Sequence, residues 1–225
     1  MRTTIPVVTL LIAVPVLATT YTDPTGDIAV SNNNLDIISV DVSHTSTDVE
    51  ISLTLGELSS DLDWGKYLLF FDFKFGGVSD NPWGRDVSGL SGIDMFVGTW
   101  LDGDTNGDGV NDGGLEQWYY TPNGWGQMDL GVSMSFDNDD NTITWNLAGF
   151  AATLAGFGAS TFQFEIGTTG NGNSDPAIDL LGGESTMPGW GQGSTSTDMS
   201  TYSIPAPGAI ALLGLAGLAG RRRRR

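Results

Sequence analysis

Val49, Ile51, Leu53 and Leu55 alternate with Glu50, Ser52 and Thr54, the period of a strand with one buried face. The pattern predicts a strand there, with Asp36 to Ser43 as its partner across the turn Thr45-Ser46-Thr47-Asp48. Tyr67 to Phe75 is apolar on both faces, which predicts a central strand rather than an edge. Further strands are predicted over Ile93 to Trp100, Gln117 to Thr121, Met128 to Phe136, Thr142 to Leu147 and Thr161 to Thr168, with Asn138-Asp139-Asp140-Asn141 as a hairpin turn. Leu147 to Gly156 can make a helix, which its glycines limit to a turn or two. Short strands separated by Gly, Asn and Asp turns, without crossover helices, predict an all-β chain: an antiparallel β-sandwich of jelly-roll type. The sandwich is expected over residues 21–193, with 194–203, rich in Ser and Thr, as a tether.

The two ends break this pattern. Arg2, the apolar run Pro6 to Leu17 and the small-residue site Val16-Leu17-Ala18 predict a secretory signal helix over 1–20, with the mature chain starting near Thr19 or Tyr21. At the other end, Pro205-Ala206-Pro207 precedes a Gly/Ala/Leu run, Gly208 to Gly220, and then the cluster Arg221, Arg222, Arg223, Arg224 and Arg225. That run is shorter than the roughly 20 residues of a comfortable span, and the arginines would hold its end on the cytoplasmic side. Residues 204–225 are therefore expected to form an apolar helix inserted transiently in the inner membrane. This order resembles the PEP-CTERM sorting signal of Gram-negative bacteria, with Ala206 where that motif usually has glutamate. The resemblance implies an exosortase-type enzyme as a partner, cleavage near the motif, and delivery to the outer surface or extracellular matrix.

Charge narrows the partners further. Between Asp23 and Asp198 lie all 27 acidic residues against three basic ones, Lys66, Lys74 and Arg85, so the body carries −24. Such a field repels phosphate backbones and excludes nucleic acid, leaving cations and neutral polymers. The absence of cysteine excludes disulfides and thiolate sites. The lone histidine, His44, beside a predicted turn, offers nothing for a triad or a zinc site. The expected role is therefore binding and not catalysis.

Two groups of residues carry candidate chemistry. From Asp104, oxygen ligands fall at Asp104, Asn106, Asp108, the Val110 carbonyl and Asp112, with Gly109 at the sixth position. Alternate side chains of such a tight loop converge on Ca²⁺, although Leu115 stands where an EF-hand has glutamate. The loop resembles those of thrombospondin type 3 repeats and dockerins. Trp83, Trp125 and Trp190 each sit in a glycine-flanked loop, where a flat indole face can stack on a sugar ring. Tyr120 is expected beside Trp125, while Trp100 and Trp145 are expected in the core.

Short pieces in order also resemble extracellular domains related to family 9 carbohydrate-binding modules: Asp23-Pro24-Thr25-Gly26-Asp27, Leu35-Asp36-Ile37, Phe70-Phe71-Asp72, Gly92-Ile93-Asp94, Gln117-Trp118-Tyr119-Tyr120 and Phe162-Gln163-Phe164, over about residues 23–182. The expectation is an exported, non-catalytic sandwich that binds extracellular polysaccharide and Ca²⁺. A structural matrix or biofilm protein without a small ligand is the alternative, and a secreted glycosidase the third.

Overall fold

The computed structural model describes residues 18–59, 61–104, 107–173, 175–183, 189–191 and 193–204. The expected signal helix and apolar sorting helix lie outside these residues; among those described, no helix is long and apolar enough to cross a membrane.

Two antiparallel sheets face each other. The first runs β1 (Thr19–Thr22), β2 (Ile37–His44), β3 (Val49–Leu55), β10 (Thr142–Leu147) and β9 (Val132–Asp137), in that spatial order. The second runs β12 (Ala177–Leu180), β11 (Thr161–Thr169), β4 (Lys66–Asp72), β6 (Met95–Trp100), β7 (Gly114–Thr121) and β8 (Gly124–Gln127), with β14 (Ser200–Ser203) also paired to β11. A short parallel pair, β5 (Val87–Ser88) with β13 (Ser194–Thr195), lies outside both. The chain is thus an all-β sandwich, and its one α-helix, α1 (Phe150–Gly156), is a short cap.

The alternation in β3 appears as buried Val49, Ile51, Leu53 and Leu55. Their partners across the gap include Leu69, Phe71 and Val97, and Trp145 is fully buried with its indole N–H donating to Thr99 Oγ1 at 2.9 Å. β4 is central, as its apolar faces require, and each face meets a different layer. Tyr67, Leu69 and Phe71 enter the inter-sheet core, whereas Leu68 and Phe70 join Phe96, Val87, Leu90 and Ile93 in a second apolar layer. The loop between β4 and β6, with β5 in it, thus roofs the outer face of the second sheet. Asn141, with φ 56°, closes the β9–β10 hairpin where the sequence places a turn.

Several boundaries move. Residues 194–203, read as a tether, contain β13 and β14, and Tyr202 of β14 is buried against Phe162 at 5.6 Å between ring centroids. Ser and Thr suit an edge strand once β11 offers an unpaired edge. Residues 128–131 are not strand; β8 ends at Gln127 and β9 begins at Val132. Trp100, expected in the core, is half-buried on the outer face of β6.

Candidate functional site

Strand parity builds a cleft on that outer face. Lys66 on β4, Gly98 and Trp100 on β6, and Glu116 on β7 all point away from the inter-sheet core, in register across the sheet: Lys66 pairs with Trp100, and Gly98 with Glu116. Gly98 leaves a hollow that the indole of Trp83 fills; a Cβ there would stand 2.2 Å from that ring. Trp83 packs edge-on against Phe96 at 5.5 Å and, tilted by 36°, beside Trp100 at 6.3 Å. Arg85 lies over Trp83, its guanidinium carbon 5.7 Å from the ring. With Asn171 and Asn173 these residues line an open cleft of about 360 Å³, within the size range of small-molecule sites.

Hydrogen bonds hold the walls in place. Glu116 Oε2 accepts from the indole N–H groups of Trp83 (2.8 Å) and Trp118 (3.2 Å). Asn81 bridges to the backbone of Arg85 in both directions, at 2.9 and 3.0 Å, fixing the loop that carries Trp83 and Arg85. The guanidinium donates from Nη1 to the carbonyls of Gly172 and Asp175. Burial lowers its pKa, and the Asp175 carboxylate acts against that shift. Lys66 donates to Asp102 Oδ1 at 2.6 Å and to the Trp64 carbonyl at 3.0 Å. Two of the three cations of a strongly acidic body thus border one cleft, each with a carboxylate at its back. Because the two indoles touch each other, a ligand would lie across them rather than between them. The half-buried Trp83 and Trp100 rings, with the fixed Glu116 carboxylate and the two cations, give the cleft a mixed apolar and polar lining.

Of the tryptophans singled out by sequence, only Trp83 lines this cleft. Trp125 is half-buried at the other end of the sheet, its N–H donating to Asp80 Oδ1 at 3.0 Å and its ring edge-on to Tyr120 at 5.4 Å. Trp190 is 46% exposed and tilted beside Trp64 at 6.2 Å. Trp100 was missed because alternation alone places it in a wall; the glycine two residues earlier on the same face was the available sign of a hollow.

The loop Asp102 to Asp112 closes on itself through Asp104. Its carboxylate accepts N–H groups of Gly107 (2.5 Å), Asp108 (3.1 Å) and Gly109 (2.8 Å), and Asp108 accepts from Val110 at 2.9 Å. Asn106 lies outside the described residues. Asp104, Asp108 and Asp112 do not bring three carboxylate oxygens to mutual ligating distance; the one group that does, among the described residues, is Asp23, Asp27 and Asp179, within 4.8 Å of one another. Asp23 and Asp27 come from the Asp-Pro-Thr-Gly-Asp turn after β1, and Asp179 from β12, over 150 residues later. Asp36 closes the turn by accepting the Gly26 N–H at 3.0 Å on each oxygen. Asp179 accepts from Ile37 (2.7 Å) and Leu180 (2.9 Å).

This group is electrostatically strained. Burial, then the neighbouring Asp179 and Asp27 charges, raises the Asp23 pKa to about 8. Burial raises Asp179 to about 7 despite its N–H donors. Nearby Glu165, held by Ser196 Oγ and the Gly182 and Ile166 N–H groups, is likewise raised by burial to about 7. Hard carboxylate oxygens crowded in this way could hold a metal cation. His44 is remote from both places, its Nδ1 2.7 Å from Tyr202 Oη and its pKa lowered by burial.

No family model matches the chain, and no curated protein matches it.

Proposed function

We propose that this is an exported carbohydrate-binding sandwich, stabilised by a divalent cation, whose glycan site is the Trp83–Trp100 cleft. The observation that carries this reading is the cleft itself: two touching indole faces over a glycine hollow, bordered by Glu116, Lys66 and Arg85 with their positions fixed by hydrogen bonds. The role is binding and not catalysis. The family 9 and jelly-roll likenesses belong to the same reading, and so do the terminal signal and sorting helices. Asp23, Asp27 and Asp179 are the proposed Ca²⁺ ligands, and the loop Asp104 to Asp112 is a second proposed site.

A glycan-array screen of the secreted protein tests the cleft, with the Trp83→Ala and Trp100→Ala variants beside it. Each substitution removes stacking area from an outer layer, so binding is expected to fall by roughly tenfold or more per indole. Binding that survives both substitutions, or is lost only in Trp125→Ala, would reject the cleft. Failure of the wild type to bind any glycan would favour the structural matrix protein.

Export and sorting are part of the proposal. Cleavage after Ala18 leaves β1 whole, with Tyr21 Oη donating to the Thr201 carbonyl at 2.7 Å and its ring edge-on to Phe164 at 5.1 Å. The intact mass of protein recovered outside the cell is therefore expected to begin at Thr19 and to lack Arg221 to Arg225. A species retaining Arg225 would overturn the sorting assignment.

A further inference from the structure

Strand directions sort the loops into two ends. At one end β14 finishes beside the start of β11, with Ser203 paired to Thr161 and the Ile204 N–H donating to the Ser160 carbonyl at 2.8 Å. β4 finishes there too, since Asp72 pairs with Gln163, and so does α1, whose last turn leads into Phe157 and Ser160. This end carries exposed apolar side chains. Phe75, just beyond β4, is fully exposed, and Phe157 is 55% exposed while contacting Phe73 at 6.0 Å. The opposite end holds the turn Asp137 to Asp140, the loop Asp102 to Asp112, and the carboxylates Asp23, Asp27 and Asp179. The end where the chain leaves thus carries two exposed phenylalanines, with part-buried Asp48, Asp72 and Lys74 beside them, while the other is densely acidic.

Ile204 is separated from the apolar run at Gly208 by Pro205, Ala206 and Pro207 alone. Three residues span roughly 10 Å at most, and two of them are prolines, which stiffen the link. Taking residues 204–225 as the membrane-inserted sorting tail proposed above, we infer that the Phe75–Phe157 end of the sandwich rests against the lipid surface until the tail is cut. The phenylalanines enter the headgroup–acyl boundary, and the acidic end and the glycan cleft's Lys66–Trp100 rim face away. Aromatic side chains are favoured at that boundary. A body at −24 is repelled by anionic lipid unless its acidic end is turned outward. The contact also holds the Pro205-Ala206-Pro207 link at the membrane surface, at a constant height for the processing enzyme.

The chain has no cysteine, so single-site labelling is clean. Full-length protein carrying Phe75→Cys or Asp139→Cys, each bearing an environment-sensitive fluorophore, is mixed with phosphatidylcholine vesicles and floated on a density gradient. The expected result is co-flotation of both, with a blue shift and quenching by lipid-borne spin label at position 75 and neither at position 139. Adding Phe157→Ser should reduce the quenching at position 75, because the remaining phenylalanine of the proposed contact is then gone too. Co-flotation with an unshifted dye at position 75, or with equal shifts at both positions, would overturn the orientation and leave the tail reading standing. Absence of co-flotation would overturn the tail reading and the orientation with it.

Discussion

Melting in chelator is expected to show a protein that loses stability as pH rises from 5 to 8, and added Ca²⁺ is expected to remove the part of that loss due to Asp23 and Asp179. The argument starts from four carboxyls whose folded pKa values lie above the ordinary carboxylate value: Asp23 at about 8, Asp179 and Glu165 at about 7, and Asp72 at about 6, each through burial first. The unfolded chain releases these protons near pH 4, whereas the folded chain still holds them. The contribution of these four groups is therefore fully present below pH 4 and declines until the folded groups ionise at pH 6 to 8. A cation bound by Asp23, Asp27 and Asp179 supplies the opposite charge, lowers the Asp23 and Asp179 values and flattens their share of the decline, leaving that of Asp72, beside Asp94 at the other end, in place. By mass action, Ca²⁺ at about 100 times its dissociation constant adds about 2.7 kcal/mol, a rise of roughly 5–10 °C for a domain of this size.

Variants assign the effect to a place. Asp27→Asn should cut the Ca²⁺-induced rise and reduce the slope in chelator, since one of the crowded charges is gone. Asp108→Ala should leave both unchanged if the three-aspartate group is the stabilising site, and should abolish the rise if the loop is. Identical melting curves in chelator and in Ca²⁺ at pH 8 would remove the cation from the proposal altogether.

How far these places could be read from sequence depends on the range over which each is encoded. Alternation is local, so Val49 to Leu55, Thr142 to Leu147 and the strand from Thr161 appear where the pattern puts them. β13 and β14 are Ser- and Thr-rich and become strands only because Val87 and the edge of β11 offer partners, a tertiary preference that overrides composition. The cation group joins a visible turn motif, Asp23 to Asp27, to Asp179. The sign at Asp179 was a carboxylate set within the apolar stretch Ala177-Ile178-Asp179-Leu180-Leu181, buried yet supplied with two N–H donors. The cleft needs three strands in register plus a roof loop from elsewhere, so Lys66 carried no local signal, Trp100 only the indirect one of Gly98 two residues before it, and the loop tryptophan Trp83 a direct one.

Gly98→Val is expected to abolish glycan binding while leaving a folded sandwich, and Trp145→Ala to do the reverse. Gly98 lies inside β6 without a positive φ, so valine suits its backbone and its strand. Its side chain, however, would occupy the place of the Trp83 indole, which stands 2.2 Å from even a Cβ. The indole must swing out, releasing Glu116 Oε2 and tilting the wall that Trp83 forms with Trp100. Overpacking of this kind costs about 1–3 kcal/mol, which lowers the melting point by a few degrees without unfolding the domain. Trp145 is fully buried between the sheets, and truncating it leaves a cavity and an unpaired Thr99 hydroxyl. That change is expected to cost about 3–5 kcal/mol while leaving the outer face of the second sheet unaltered, so the folded fraction should bind glycan with wild-type affinity. Differential scanning calorimetry with isothermal titration of the array-identified glycan reads both quantities. Undiminished binding by Gly98→Val, with its melting point lowered as expected, would show that Trp83 holds the roof loop in place and does not contact sugar.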